Sequence, residues 1–248
     1  MNLTNRRNLA PPTTALPTVL LTGFDAFGGD ALNPSWLAVQ ALNGEVIEGH
    51  ELVAAQLPTE FKASTKVLLR LLRRHRPALV IEVGQAGGRS ALSLERVAIN
   101  IQDARIPDNA DAQPVDLPVV KRGPAAYFST LPIKAMQQAI ENEGVPAEIS
   151  QTAGTFVCNH VFFALMHYLQ TAAGALLTGN ARGERRSKRP SPNGIGNVPR
   201  GGFIHVPYLP EQGVPNMPLA DMVRGLRVAC ACALTTKKDL ARGAGAIS

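Results

Sequence analysis

Short apolar runs alternate along this chain with amphipathic stretches. Val19 to Thr22 is an apolar run closed by Gly23 and predicts a buried strand. Phe24 to Asp30 is Gly-rich loop. Asn33-Pro34-Ser35 then starts a helix, with Asn33 as its cap and Pro34 in its first turn. Leu52 to Leu57 reads as a second strand. Over Pro58 to Arg74, Val67, Leu68, Leu71 and Leu72 share one face while Lys62, Lys66, Arg70 and Arg73 point outward, the pattern of an amphipathic helix. Ala78 to Val83 is a third strand, apolar except for Glu82 and closed by Gly84. This β-α-β-α-β order predicts an α/β fold whose mostly parallel sheet carries helices on both faces.

Farther on, Arg96 to Ile101 is a strand candidate, and Asp103 to Gly123, with its Pro, Asp and Asn residues, is loop. Leu131 to Glu143 predicts a helix closed by Gly144. Ile149 to Thr152 is a short strand leading to Gly154. Phe156 to Leu169 is a strongly apolar helix, Gly202 to Val206 a strand and Met217 to Leu234 a final helix. The polar, Pro/Thr-rich start, residues 1–17, lacks the apolar centre of a secretory signal and is expected to be a loose tail. The remainder, residues 18–248, is expected to form one domain. Gly179 to Gly202, poor in apolar residues and rich in Gly, Pro, Arg and Ser, is expected to be an exposed loop.

Composition narrows the class. The chain of 248 residues has 45% apolar residues, enough for a sizeable core, and no run approaches the roughly 18 apolar residues that span a bilayer. The net charge of +6 hints at nucleic acid, but the excess is local: Arg182 to Arg200 holds six Arg and Lys against Glu184 alone. Aromatic residues, at 5%, are too few for a stacking platform. Neither a membrane nor a nucleic-acid partner is therefore expected. The three cysteines, Cys158, Cys230 and Cys232, make no disulfide framework, which argues for a reducing compartment and, by default, the cytoplasm. No Cys/His spacing reads as a metal site.

Three loops at the carboxyl ends of strands carry candidate chemistry, where open α/β sheets place their sites. In the first, a strand passes through Gly154 into an apolar helix, which puts Cys158 near a helix N-terminus. There the free N–H groups and the dipole are expected to favour a thiolate. The bland alternative is a small buried hydrophobe. In the second, His205 ends an apolar strand and is the best placed of five histidines to serve as base. His160 is its rival, yet residues i and i+2 of a helix point apart. In the third, Gly84 to Arg89 allows close backbone approach to a ligand, without the spacing of a nucleotide loop. Glu95 beyond it could orient an imidazole, with Glu82 a competing acid.

These residues lie in blocks that resemble the pyroglutamyl peptidase I (pyrrolidone-carboxylate peptidase) family. The blocks run, in family order, from Thr22–Gly29 with Asn33-Pro34-Ser35, through Leu57-Pro58-Thr59, Gly84–Arg89, Glu95–Asn100 and Asp103–Asn109, to Thr152–His160 and Phe203–Pro210. The resemblance implies a single-domain α/β/α sandwich with a mostly parallel mixed sheet and a catalytic set of Cys158, His205 and Glu95. It implies that Phe24 and Phe27 help enclose a lactam ring, that Gln85 hydrogen-bonds it, that Arg105 lies near the nucleophile, and that Phe156 and Val157 line the pocket. It further implies pyroglutamyl peptides as substrates, a cytosolic enzyme without cofactor or metal, and a homo-oligomer, a tetramer in many members.

The chain departs from the family in its extra N-terminal tail and in a basic insertion at about 172–201, for which a solvated surface loop is the expectation. Two rival functions stand beside the peptidase reading. A non-catalytic binding protein on the same scaffold would use the basic loop on RNA or another acidic partner. A nucleoside phosphorylase-like enzyme would need a phosphate and ribose site that the sequence does not display.

Overall fold

The computed structural model describes residues 16–178 and 199–245. β1 (Thr18–Phe24) lies between two parallel neighbours, β3 (His50–Leu57) and β4 (Leu79–Gln85), and β4 pairs in parallel with β9 (Arg200–Val206). Beyond β9 the direction reverses: β5 (Leu92–Glu95) runs antiparallel to it, and β8 (Ala147–Ser150) runs parallel to β5. β2 (Val46–Ile47) closes the other edge, antiparallel to β3. The seven strands stand in the order β2-β3-β1-β4-β9-β5-β8, and β6 (Val97–Ile99) and β7 (Ala126–Phe128) form a separate two-stranded ribbon.

Strand side chains alternate between two layers of core because the strand period is two. Val19, Leu21, Ile81, Val83, Ile204 and Val206 pack with helices α1 (Pro34–Ala41), α3 (Ile133–Asn142) and α5 (Leu219–Thr235). Leu20, Phe24, Val80 and Phe203 pack on the opposite face with α2 (Phe61–His75) and α4 (Val157–Thr178). The sandwich and its mixed, mostly parallel sheet match the expected fold class.

Local chemistry explains the elements. Asn33 caps α1 as expected: its Oδ1 accepts from the Ser35 N–H at 3.0 Å, while its Nδ2 donates to the Asp25 carbonyl at 2.9 Å. α2 has no cap from its own Glu60. A carboxylate from a distant loop replaces it, Asp108 Oδ2 accepting from the Phe61 N–H at 2.8 Å.

Several expectations need correction. β5 was expected to be loop. Its two polar residues are buried and paired, Ser93 Oγ donating to Glu148 at 2.6 Å and Glu95 meeting His205, so its pattern does not look like that of a core strand. β2 and β7 are two and three residues long, too short to show a period. The apolar helix runs on to Thr178, and β9 starts at Arg200, so both ends of the expected insertion are regular structure. Residues 179–198, with the basic run Arg185 to Arg189, and residues 1–15 of the expected tail lie outside the described residues. Among the described residues, no helix is long and apolar enough to cross a membrane.

One buried group opposes the rest of the core. Glu82 is fully buried on the α4 side of β4, paired in register with Thr22, and neither its carboxyl oxygens nor Thr22 Oγ1 has a hydrogen-bond partner among the described residues. Burial pushes the Glu82 carboxyl well above the usual range, so it stays protonated in the fold. An acid with a raised pKa favours folding less as pH climbs past its unfolded value, because the unfolded chain then releases the proton that the native state keeps. Glu82→Met is therefore expected to stabilise the protein at pH 7 by about 1–3 kcal/mol. The gain should shrink towards pH 4, where the carboxyl is protonated in both states. Urea unfolding across that range measures it. A loss, or a gain independent of pH, would mean that Glu82 is ionised and paired.

Candidate active site

β4 and β9 end side by side, with Gly84 opposite His205 and Glu82 opposite Phe203. α4 begins above this edge, and Cys158 is its second residue. The turn before it bends at Gly154, whose φ of 75° is in the left-handed region. Asn159 anchors the first turn: fully buried, it accepts from the Ile99 N–H and donates to the Ile99 and Ile101 carbonyls at 2.9–3.0 Å.

The sulfur of Cys158 rests over Gly84. A Cβ at that glycine would stand 2.8 Å from Cys158 Sγ and 2.7 Å from Phe203 Cζ, so no side chain fits there. Gly87 is crowded in the same way by the Tyr208 ring, at 2.3 Å. The expected close approach to a ligand is, at these two glycines, an approach by the protein's own side chains.

His205 is buried against Phe203, ring centroids 4.8 Å apart, and its Nδ1 meets Glu95 Oε1 at 2.7 Å. A carboxylate accepts, so Nδ1 carries the hydrogen of that bond, and in a neutral ring the lone pair is on Nε2. The same Glu95 oxygen accepts from Arg89 Nη1 at 2.7 Å, and Arg89 Nη2 donates to the Thr152 carbonyl at 3.1 Å, in the loop before Cys158. Glu95, and not Glu82, is the carboxyl group that meets the His205 ring. His160 turns away from the cysteine. Its Nε2 lies 2.8 Å from Thr65 Oγ1 on α2, its ring meets Phe61 edge-on, and burial lowers it to about 4.

The electrostatics differ from the expectation of a thiol made acidic by the helix. Burial pushes the Cys158 thiol up to about 12; the carboxylate of Glu95 and then that of Glu82 add to this, while Arg89 and the cysteine's own N–H oppose it. Cys158 as a residue is half-buried, but its sulfur packs over the sheet, and the sulfur's surroundings govern its acidity. Glu82 is itself held neutral, which leaves burial and Glu95 as the working causes. The cysteine's own N–H does not offset them.

The remaining predicted residues fall into two groups. Phe27 and Phe156 are half-buried with ring centroids 6.0 Å apart, and Phe61 supports Phe156 edge-on at 5.4 Å. Arg105 is exposed and shares with Phe156, Thr155 and Asp103 a depression of about 490 Å³. Phe24 and Val157, by contrast, are core residues at 2% and 0% exposure, with Phe24 packed on Phe203. Both belong to the buried cluster against which Phe156 packs. Gln85, at the tip of β4, bonds to Asp30 and Gln212. The sequence reading assigned no part to Arg89, Asn159, Phe61, Asp30 or Gln212. Adjacency to Cys158 was the signal for Asn159, and the Gly-rich run was the signal for Arg89.

Comparison with known proteins identifies the family. A family model described as pyroglutamyl peptidase matches residues 17–181. The pyrrolidone-carboxylate peptidase of Cupriavidus taiwanensis is 52% identical over 235 residues, covering 93% of this chain and 99% of the relative. That of Bacillus licheniformis is 47% identical over 234 residues, covering 93% and 98%. Among solved structures, pyroglutamyl peptidase I from Bacillus amyloliquefaciens superposes with a TM-score of 0.80 at 42% identity, covering 92% of this chain and 100% of the other. The pyrrolidone carboxyl peptidase from Thermococcus litoralis gives 0.79 at 32% identity, with coverage of 92% and 100%. A fold shared along its length and an identity near one half leave one conclusion: the chain belongs to the pyroglutamyl peptidase family of hydrolases.

Proposed function

We propose that this hydrolase cleaves the bond after an N-terminal pyroglutamyl residue of peptides through a Cys158 thiolate and an acyl-enzyme. What supports this reading is the placement of three groups at one sheet edge: the Cys158 sulfur over Gly84, His205 paired in register with Gly84 on the adjoining strand, and Glu95 bonded to His205 at 2.7 Å. Because the thiol is pushed up, loss of its proton to water is unfavourable. Its proton passes to Nε2 of His205, whose imidazolium Glu95 stabilises. The thiolate attacks the scissile carbonyl, and N–H groups opening α4 can hold the oxyanion. The C–N bond breaks as His205 returns its proton to the leaving amine. Water, deprotonated by His205, then cleaves the thioester and releases pyroglutamate.

Substrate choice follows from the same site. Pyroglutamate has no free amine, so its lactam must be read by shape and hydrogen bonds. In this reading Phe27 and Phe156 cover the ring, with Phe24 and Val157 fixing those walls. Gln85 offers the lactam a donor and an acceptor, and Arg105 lines the depression beside Phe156. Proline lacks the ring carbonyl and would leave a buried polar group unpaired. The non-catalytic reading has no observation in its favour, since its basic loop lies outside the described residues. The phosphorylase-like reading has none either.

Pyroglutamyl-coumarylamide is expected to be cleaved in preference to the prolyl and glutamyl analogues, and Cys158→Ser to lower kcat at least about 1000-fold. Absence of release by folded, reduced protein would refute the peptidase reading. His205→Ala is expected to slow iodoacetamide alkylation of Cys158 at pH 7 by about 100-fold or more. Both rates should keep climbing with pH beyond 10, as befits a thiol pushed up to about 12, with the variant well below the parent at pH 7. Equal profiles would remove His205 from the mechanism. The reading also carries a cytoplasmic homo-oligomer, a tetramer. Sedimentation velocity should give one species of four chains, and a monomer at micromolar concentration would contradict it.

A further inference from the structure

Gln85 does not stand alone at the tip of β4. Three polar side chains from three separate loops close on one another: Gln85, Asp30 from the loop after β1, and Gln212 from the loop after β9. Gln85 Nε2 donates to Asp30 Oδ2 at 3.0 Å. Gln212 Nε2 reaches Gln85 Oε1 and Asp30 Oδ2, each at 3.2 Å. Gln212 Oε1 accepts from the main-chain N–H of Leu209 at 2.9 Å, and the Gln212 N–H donates to the Leu209 carbonyl at 2.9 Å, so the side chain and its turn hold each other.

A side-chain amide can be turned over, exchanging its oxygen and nitrogen, unless its partners forbid it. Here they do. A main-chain N–H can only donate, so the oxygen of Gln212 must face Leu209 and its nitrogen must face Gln85. The group of Gln85 that meets this nitrogen must then be its oxygen, and a carboxylate that can only accept receives the nitrogen of Gln85. Turning Gln85 over would set N–H against N–H and oxygen against carboxylate. With these bonds made, Gln85 retains one N–H and one lone pair, in fixed places.

We propose that Asp30 and Gln212 are positioning residues for substrate selectivity: they hold the Gln85 amide in the one orientation that presents its donor to the lactam carbonyl and its acceptor to the lactam N–H. This inference rests on the reading of Gln85 as the group that meets the lactam. An amide free to turn would present the wrong pair for part of the time, and binding would weaken without any change at the sulfur.

The test is steady-state kinetics of the full chain on pyroglutamyl- and prolyl-coumarylamide, with the iodoacetamide rate of Cys158 as a check that the nucleophile is undisturbed. Gln85→Leu is the reference, expected to abolish the preference for pyroglutamate. Asp30→Ala and Gln212→Leu are each expected to raise KM for the pyroglutamyl substrate about tenfold, with kcat changed less than about threefold, the signature of lost binding. Asp30→Glu, which keeps an acceptor-only group, should recover most of the loss, whereas Asp30→Asn should not. Two separate variants guard against one that fails to fold. If Gln85→Leu abolishes the preference while Asp30→Ala and Gln212→Leu both leave KM unchanged, the positioning role is overturned and the Gln85 reading survives. If Gln85→Leu itself leaves the preference intact, both fall. Equal kinetics for Asp30→Asn and Asp30→Glu would also overturn the proposal, since orientation would then not depend on an acceptor-only group.

Discussion

The absence of a side chain at Gly84 is the constraint on which the site depends. Three elements converge there: the tip of β4, the neighbouring tip of β9 and the first turn of α4. A single added carbon would overlap both the Cys158 sulfur and the Phe203 ring. The helix could then no longer sit low enough for its second residue to lie beside His205. Asn159 acts on the same turn, its side chain tying it to the main chain of Ile99 in β6 and of Ile101 just beyond through three bonds. The cysteine is thus fixed by what surrounds it, and its own bonding plays little part.

Packing so tight has an electrostatic consequence. Removing the sulfur from water and placing it near Glu95 makes an isolated thiolate unfavourable, and neither Arg89 nor the cysteine's own N–H offsets this. The charges instead arrange for the proton to move a short way. Glu95 fixes which nitrogen of His205 is free, and Arg89 binds both Glu95 and the loop leading into Cys158, linking the acid to the nucleophile's own segment. Glu82, buried and neutral beneath the same edge, adds no charge at neutral pH and contributes no bond.

The loops that flank the sulfur are held by side chains acting in place of regular structure. Asp25 Oδ1 accepts from the Thr59 N–H, Asn109 Nδ2 donates to the Ala26 carbonyl, and Asp108 binds the start of α2 while closing its own loop through Ala110 and Ala112. These contacts join the segments that carry Phe27, Phe61 and Arg105. The aromatic wall is therefore anchored to the sheet, and the Gln85, Asp30 and Gln212 cluster joins the remaining loops in the same manner.

The sequence by itself determined the class of fold, because buried strands and amphipathic helices write their periods locally. It also placed Asn33 as a cap, rejected His160 on helical geometry, and named Cys158, His205 and Glu95 through the family resemblance. It could not display β5, since Ser93 and Glu95 look exposed until Glu148, His205 and Arg89 arrive from elsewhere in the chain. Nor could it give the acidity of Cys158: the local signal, a helix N-terminus, has the opposite sign to the burial and the Glu95 charge that the fold imposes. That Phe24 and Val157, which the resemblance places around the pocket, are almost wholly buried was decided by packing. The cap of α2 by Asp108 and the orientation of the Gln85 amide were likewise decided by tertiary structure. Each depends on partners tens of residues away, and only folding brings these within hydrogen-bonding distance.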